Sequence, residues 1–366
     1  MNKTKISNHQ LFALVANFTL GTTVISISSN VVSLAHQDAW ISALISIAIG
    51  IPFIWMYYYI GKLYPGKSLI DILNAAFGKW AGWILSAIFV VFVCYLDTAQ
   101  VIFYVGNFIR NEYMTETPLY ALNLLLAIGI VIGMLYGLEA IARAAEGFIV
   151  IVSVLIIFSL LLNMKNIEPL NLLPIFEKGI VPILKGAFSL SSYMTWPLVI
   201  LLMIVPTSTD NTIKTRNSLF AGYLWGATIN FLCTIMSLMV LGSTITARSE
   251  YPAYMMAKEI SVGIIDRIEG IISFSWLVTE FIRILLYFYA GTLGLAQLFR
   301  IKDYKKLIMP LGLVMLMYSG VVYPNAAYQA KWDTTTWVPF IATFGVILPI
   351  LILIIKKFKD VSRQLK

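Results

Sequence analysis

Hydrophobic residues make up 59% of this 366-residue chain and charged residues only 12%, against roughly 25% charged in an average soluble domain. That balance excludes a water-soluble globular protein and points to a chain that crosses a membrane many times. The net charge of +8 is read as membrane topology and contact with anionic lipid, with no reason to invoke nucleic acid.

A helix crosses the ~30 Å hydrocarbon core in about 20 residues. Apolar runs of that length fall near 9–32, 39–61, 81–109, 118–137, 141–163, 187–206, 218–244, 268–299, 304–324 and 335–356, which predicts ten transmembrane helices. Lys3 and Lys5 ahead of the first run imitate a signal peptide. No small-residue cleavage site follows and the run is too long, so it is read as the first span. The connections around 163–186 and 245–267 are rich in proline, aromatics and mixed charge, and are expected to form short helices on the outer surface. Basic residues set the orientation. Lys3, Lys5, Lys62, Lys67, Lys79, Arg143, Lys214, Arg216, Arg300, Lys302, Lys305, Lys306 and the cluster from Lys356 onward all fall on the side of the N-terminus; of the other basic residues eight fall on the opposite side and Arg283 lies within a span. Both termini are therefore expected in the cytoplasm.

Ten spans in one membrane domain divide into two sets of five, 9–163 and 183–356. An odd-numbered set, repeated, runs with inverted topology, and in that plan the first helix of each half is discontinuous. Spans 1 and 6 should then look interrupted. Span 1 contains TLGTTVISISSN, Thr19 to Asn30, with a glycine and six hydroxyl side chains where apolar ones would suffice. Small polar residues also serve plain helix packing. Span 6, GAFSLSSYMTWPLVILLMIVP from Gly186 to Pro206, repeats the pattern: Ser189, Ser191, Ser192, Tyr193 and Thr195 crowd before Pro197, which cannot donate a helical hydrogen bond. The match between halves favours two breaks over packing. Freed amides at a half-helix N-terminus attract a carboxylate, and freed carbonyls attract an ammonium or a cation. A zwitterionic amino acid suits both ends, and Gly21 would let the backbone come close.

Three ionisable side chains lie inside spans: Asp97, Glu280 and Arg283. A charge at the bilayer centre costs about 2.5–3.5 kcal/mol even on the lenient scale. Glu280 and Arg283 share a helix face and could pair, or Glu280 could meet a ligand ammonium or carry a proton. Asp97 has no charged neighbour on its helix, so it is protonated, wet, or paired across helices, Arg283 being one such partner. The candidate ligand-binding residues are Gly21, Thr22, Thr23, Ser26, Asp97, Tyr104, Ser191, Ser192, Tyr193, Thr195, Glu280 and Tyr287. Glu139, Arg143 and Glu146, and likewise Asp266, Arg267 and Glu269, read as ion-pair sets at span ends. Cys94 and Cys233 lie in apolar runs and read as core residues. His9 and His36 have no partners at ligand spacing, and the sequence holds no phosphate-binding loop or nucleophile motif. No metal, cofactor or enzymatic activity is expected.

LFALVANFTLGTTVISISSN, the inner loop AAFGKWAGWI, EPLNLLPIFEKGIVPILKG and DRIEGIISFSWLV together resemble the spore germinant-receptor B subunits. These are permease-like members of the amino acid–polyamine–organocation superfamily, and the resemblance runs across nearly the whole chain. It implies a leucine-transporter-like fold in the spore inner membrane. It also implies assembly with an A-type and a lipoprotein C-type subunit, and recognition of a small nutrient that triggers germination. Two departures stand out. Relatives often carry Gly-x-Gly and then proline in span 1, where this chain has Gly21, Thr23 and Ser28. They also often carry an acid in span 6, where this chain has none between Gly186 and Pro206. Three functions follow as alternatives: a sensor that binds a nutrient, an amino acid by the pocket's chemistry, without moving it; a secondary transporter coupled to protons or sodium; and an ion-gating subunit that works through Asp97, Glu280 and Arg283 without binding nutrient.

Overall fold

The computed structural model describes residues 5–210, 212–260 and 268–364, so Lys3, Asp266 and Arg267 lie outside the described residues. Within them the regular elements are all helical. Eight helical stretches are long and apolar enough to cross a membrane: Asn8–Leu63, Lys79–Glu112, Leu119–Tyr136, Leu138–Asn166, Ile180–Met203, Ile213–Arg248, Glu269–Leu298 and Ala326–Ser362. The first holds 56 residues, about 84 Å at 1.5 Å per residue, far more than one crossing needs. It is bent where His36 takes a positive φ of 52°, and Ala39–Leu63 continues as a separate helix. Ile308–Ser319, at 12 residues, falls below a crossing length. The structure is that of an integral membrane protein, and its outward faces carry exposed apolar residues such as Leu125, Val154 and Met317.

The opening helix is the centre of the bundle. Ser7 caps it: its hydroxyl accepts from the Gln10 amide, while Gln10 Oε1 accepts from the Ser7 amide. From Ala13 to Leu20 every residue is buried. Ile213–Arg248 packs along it through Gly222 and Gly226. A Cβ at Gly222 would stand 2.6 Å from the Phe12 carbonyl oxygen, and one at Gly226 2.9 Å from that of Ala16. Small residues at this spacing let two membrane helices meet backbone to backbone. Ala39–Leu63 lies against Ile180–Met194 in the same manner, with Ser42 donating to the Ile183 carbonyl and Ser46 sharing a 2.9 Å hydrogen bond with Ser191.

The longer connections differ in part from expectation. Residues 163–172 form two 3-10 turns, Asn163–Asn166 and Pro169–Leu172. In the other connection the Ile213 helix runs on past a kink at Gly242 to Arg248. The short helix Pro252–Lys258 then packs inward, with Tyr254, Met256 and Ala257 buried, instead of lying on the surface. Its aromatic face explains this: Tyr254 stacks edge-on against Phe108 at 5.6 Å. At the opposite end Arg143 pairs with Glu139, while Glu146 bonds His9 at 2.8 Å, so the expected three-residue set is split. Cys94 and Cys233 are free and buried.

Candidate functional site

The chain is interrupted at both expected places. The first helix ends at Gly21, whose ψ of −116° turns the chain out of helical geometry. Pairing resumes as a π-helical turn over Thr23–Ile27 and an α-helix over Ser28–Ala35. The Ile180 helix stays α-helical to Met194 and becomes a 3-10 helix over Trp196–Met203. Pro197 accounts for the change, since it has no N–H for the carbonyl four residues earlier, that of Tyr193.

Most of the hydroxyls that mark these segments serve the backbone. Thr19 donates to the Val15 carbonyl, Thr23 to those of Thr19 and Leu20, Ser26 to Thr22 and Ser29 to Ser26, all between 2.8 and 3.1 Å. Ser191 donates to Ala187 and Ser192 to Ser189. Thr195 bonds the Tyr223 hydroxyl at 3.1 Å. Carbonyls that a break leaves without donors at membrane depth need such partners.

Between the breaks lies a buried chamber of about 20 Å³, lined by Thr22, Asp97, Gln100, Val101, Tyr104, Tyr193, Arg283, Tyr287, Asp333 and Trp337. That is room for about one water molecule. Asp97, Gln100, Val101 and Tyr104 reach it because they recur every three or four residues along one helix face. A π-helical turn at Phe89–Tyr95 precedes them, and each extra residue in such a turn rotates the following face by about 100°. A second π-helical turn, Trp332–Thr336, presents Asp333 from the other side.

The charged residues do not pair as expected. Arg283 is 2% exposed, yet its Nη1 donates to the Phe18 carbonyl at 3.3 Å and its Nη2 to the Tyr193 carbonyl at 3.0 Å. Its guanidinium also lies over the Phe18 ring, 4.6 Å from the centroid. Neither Glu280 nor Asp97, both buried, receives a hydrogen bond from Arg283: their neighbours are Thr22 and Trp276 beside Glu280, and Tyr287 beside Asp97, all too long or poorly aligned for a full hydrogen bond. The half-helix carbonyls take the two Nη groups of the arginine, its Nε is left without a hydrogen bond, and neither acid receives one from it. Glu280 stands behind Gly21, where a Cβ would come within 3.2 Å of its Oε2. Asp97 faces the chamber.

A cavity of about 760 Å³ adjoins the chamber and shares Thr22, Tyr104, Tyr193 and Asp333 with it. Its wall includes Ser26, Asn30, Asn107, Arg110, Glu250, Tyr251 and Tyr323. Ser33, Asn111 and Asn325 on its rim are exposed, so it opens as a vestibule to the surface. Burial pushes the Tyr251 phenol up, and the neighbouring Glu250 carboxylate adds to this, so Tyr251 stays a donor and bonds Glu250 Oε1 at 2.8 Å. The wall between vestibule and chamber is a polar cluster. Tyr104 donates to Asp333 Oδ1 at 2.5 Å and shares a 2.8 Å bond with Tyr323, while Tyr193 donates to the Asp333 carbonyl at 2.9 Å.

Of the residues singled out in the sequence, Thr22, Asp97, Tyr104, Tyr193 and Tyr287 meet around the chamber. Ser26 lies in the vestibule, and Gly21 and Glu280 sit one layer behind. Thr23, Ser191, Ser192 and Thr195 lie outside the lining and hold backbone or neighbouring helices. Sequence reading missed Gln100, Tyr323, Asp333 and Trp337. Gln100 was findable as the i+3 neighbour of Asp97. Asp333 lay just ahead of the apolar run that was taken to begin at 335.

The family model described as spore germination protein matches residues 5–327. The chain belongs to that family. Spore germination protein KB of Bacillus subtilis (strain 168) is 27% identical over 369 aligned positions, covering 100% of this chain and 98% of that protein. Among solved structures, the nucleobase-cation-symport-1 family transporter Mhp1, in a closed conformation with bromovinylhydantoin bound, superposes with a TM-score of 0.73 at 12% identity, over 96% of this chain and 78% of that one. MhsT in complex with L-phenylalanine gives 0.65 at 15% identity, over 97% and 99%. The spore germination family member described here therefore has the leucine-transporter-like fold with interrupted helices that these transporters share.

Proposed function

We propose that this chain is the permease-like membrane subunit of a germinant receptor, and that it recognises a small nutrient, an amino acid, between its two helix breaks. The observation that carries this reading is Asp97, a buried acid that faces the chamber, makes no well-formed hydrogen bond and receives none from Arg283. An intramembrane acid of this kind marks a ligand or ion pathway, and a ligand ammonium would supply what Asp97 lacks. The L-phenylalanine held by MhsT supports an amino acid as the class of ligand. The chamber itself, at about 20 Å³, is too small for one. The ligand is therefore seated where chamber and vestibule join, after Tyr104 and Asp333 part. Binding then favours the parted arrangement and shifts the equilibrium by its difference in affinity for the two states.

In the full reading Asn8–Leu63 counts as two crossings and 304–319 completes ten, in two five-helix halves, 9–163 and 183–356. The distribution of basic residues places both termini in the cytoplasm and turns the vestibule away from it. The membrane is the spore inner membrane, and A-type and lipoprotein C-type subunits receive the conformational shift. A second reading, a secondary transporter, draws on the transporters that share the fold.

The test is germination of spores carrying Asp97→Asn over a range of amino acid concentrations, with subunit level checked by blot, alongside uptake of radiolabelled amino acid. A rightward shift of at least tenfold, or loss of response, at normal subunit level supports recognition at Asp97. An unchanged dose response overturns it. Accumulation of label by the wild-type subunit in vesicles would decide for the transporter.

A further inference from the structure

Two half-helices end side by side here, and sequence dictates that both ends lack donors. Phe18 lies in the last turn of Asn8–Leu20, whose final carbonyls have no intrahelical partner. The Tyr193 carbonyl would be bonded from position 197 in a continuous helix, and Pro197 has no N–H to give. The carbonyl ends of helices carry partial negative charge, and broken membrane helices commonly place a free cation at such ends. In this protein a single side chain fills that position. Arg283, from the Glu269–Leu298 helix, bonds the Phe18 carbonyl at 3.3 Å and the Tyr193 carbonyl at 3.0 Å.

The surroundings are shaped for it. The guanidinium lies 4.6 Å from the Phe18 ring centroid and 5.7 Å from that of Tyr287. Position 21 is glycine, where a Cβ would stand 2.8 Å from Arg283 Cδ. The acid side chain of Glu280 stands beside the same glycine, where a Cβ would come within 3.2 Å of its Oε2 and 3.3 Å of Arg283 Nη1. A guanidinium with two acids in the same interior would ordinarily give its donors to them. This one gives its two Nη groups to backbone carbonyls on different helices and leaves Nε without a hydrogen bond.

We propose that Arg283 is a tethered cation: it joins the two broken helices at their carbonyl ends, so that the protein holds its site together without a bound metal ion. Removing the side chain then leaves a vacant cation site between Phe18 and Tyr193. This holds whatever the nutrient is, and whether or not the subunit transports it.

The experiment uses the full chain purified in detergent, with thermal unfolding followed in sodium, guanidinium or choline chloride at matched ionic strength and millimolar concentration. The wild-type Tm is expected to be the same in sodium and choline. Arg283→Ala lowers Tm, and guanidinium or sodium restores at least half of the loss in a saturable manner, while choline does not. Arg283→Lys keeps the charge and shows no such dependence. Arg283→Gln, closer in size, takes the place of the alanine variant if that one fails to fold. A saturable rise of the wild-type Tm in sodium over choline would overturn the proposal, because a free ion would still be needed. So would alanine and glutamine variants that respond to neither small cation, since the side chain would then be packing alone. The wild-type comparison decides even if no variant folds.

Discussion

Tyr104 donates its hydroxyl to Asp333 across the boundary between the buried chamber and the vestibule, at 2.5 Å. The bond links the middle of the Lys79–Glu112 helix to a π-helical turn near the start of Ala326–Ser362. Tyr323 and Tyr193 brace it, through the Tyr104 hydroxyl and the Asp333 carbonyl. The Tyr104 hydroxyl is the side-chain link between the two helices in this cluster, and on the proposed reading a ligand in the vestibule displaces it to reach Asp97.

Tyr104→Phe removes that hydroxyl while keeping the ring. Hydrogen bonds to charged groups contribute about 1.5–3 kcal/mol, and about 1.4 kcal/mol is a factor of ten in population. Labelling of Val101→Cys, which lines the chamber and not the vestibule, by a thiol reagent, in a background with Cys94 and Cys233 replaced by alanine, should speed up about tenfold when Tyr104→Phe is added. Equal rates with and without it would show that the tyrosine does not close the chamber.

Asp97 and Glu280 are buried acids that make no well-formed hydrogen bond. Most substitutions of buried residues destabilise by about 0.5–3 kcal/mol. Here the sign should differ, because an amide of the same shape keeps the packing and removes an acid that is costly at membrane depth. Asp97→Asn and Glu280→Gln are each expected to unfold at a Tm no lower than wild type, by fluorescence-detected size exclusion after heating. A fall of several degrees would mean that each carboxylate has a stabilising partner.

Thr22 and Thr23 are adjacent but serve different ends. Thr22 lines both chamber and vestibule, whereas the Thr23 hydroxyl is spent on the Thr19 and Leu20 carbonyls. Thr22→Ala should move the midpoint of nutrient-dependent germination several-fold. Thr23→Ala and Ser192→Ala should lower subunit Tm and leave that midpoint in place. A shift from Thr23→Ala equal to that from Thr22→Ala would return the hydroxyl cluster to the ligand site.

This contrast marks where sequence was sufficient. The position of each break was legible because a backbone departure needs particular residues at a particular place: Gly21 at one, Pro197 at the other. The polar residues around them were legible as a cluster. Their partners were not, since a hydroxyl four residues after a carbonyl can bond it or point away with the same spacing. The fate of Arg283 was less visible still. Its helix offered Glu280 three residues away, and only folding brings the carbonyls of Phe18 and Tyr193, 265 and 90 positions distant, to its nitrogens. Asp333 escaped because apolarity defined the spans, and it lies ahead of the apolar run, inside the π-helical turn that enters the membrane domain.

The packing that sets the first break can be tested by a change of sign. Ala in a helix is favoured over Gly by about 0.8–1.0 kcal/mol, so Gly→Ala stabilises wherever there is room. Gly147 on the Leu138–Leu162 helix is exposed, and a Cβ there meets nothing within 4 Å. At Gly226 the same atom would stand 2.9 Å from the Ala16 carbonyl oxygen and 2.7 Å from Thr19 Cβ. Neither can yield cheaply, because Ala16 is backbone in a wholly buried helix and the Thr19 hydroxyl is tied to Val15. Asn230, one turn on, donates to the Thr19 carbonyl at 3.0 Å, so pushing the helices apart also loosens the last turn before the break. Overpacking costs about 1–3 kcal/mol, enough to outweigh the helix preference. Gly147→Ala should raise Tm slightly and Gly226→Ala should lower it, measured on the same purified preparation. If both rise together, the two helices are not in backbone contact at Gly226, and the break at Gly21 is held in place by something other than this packing.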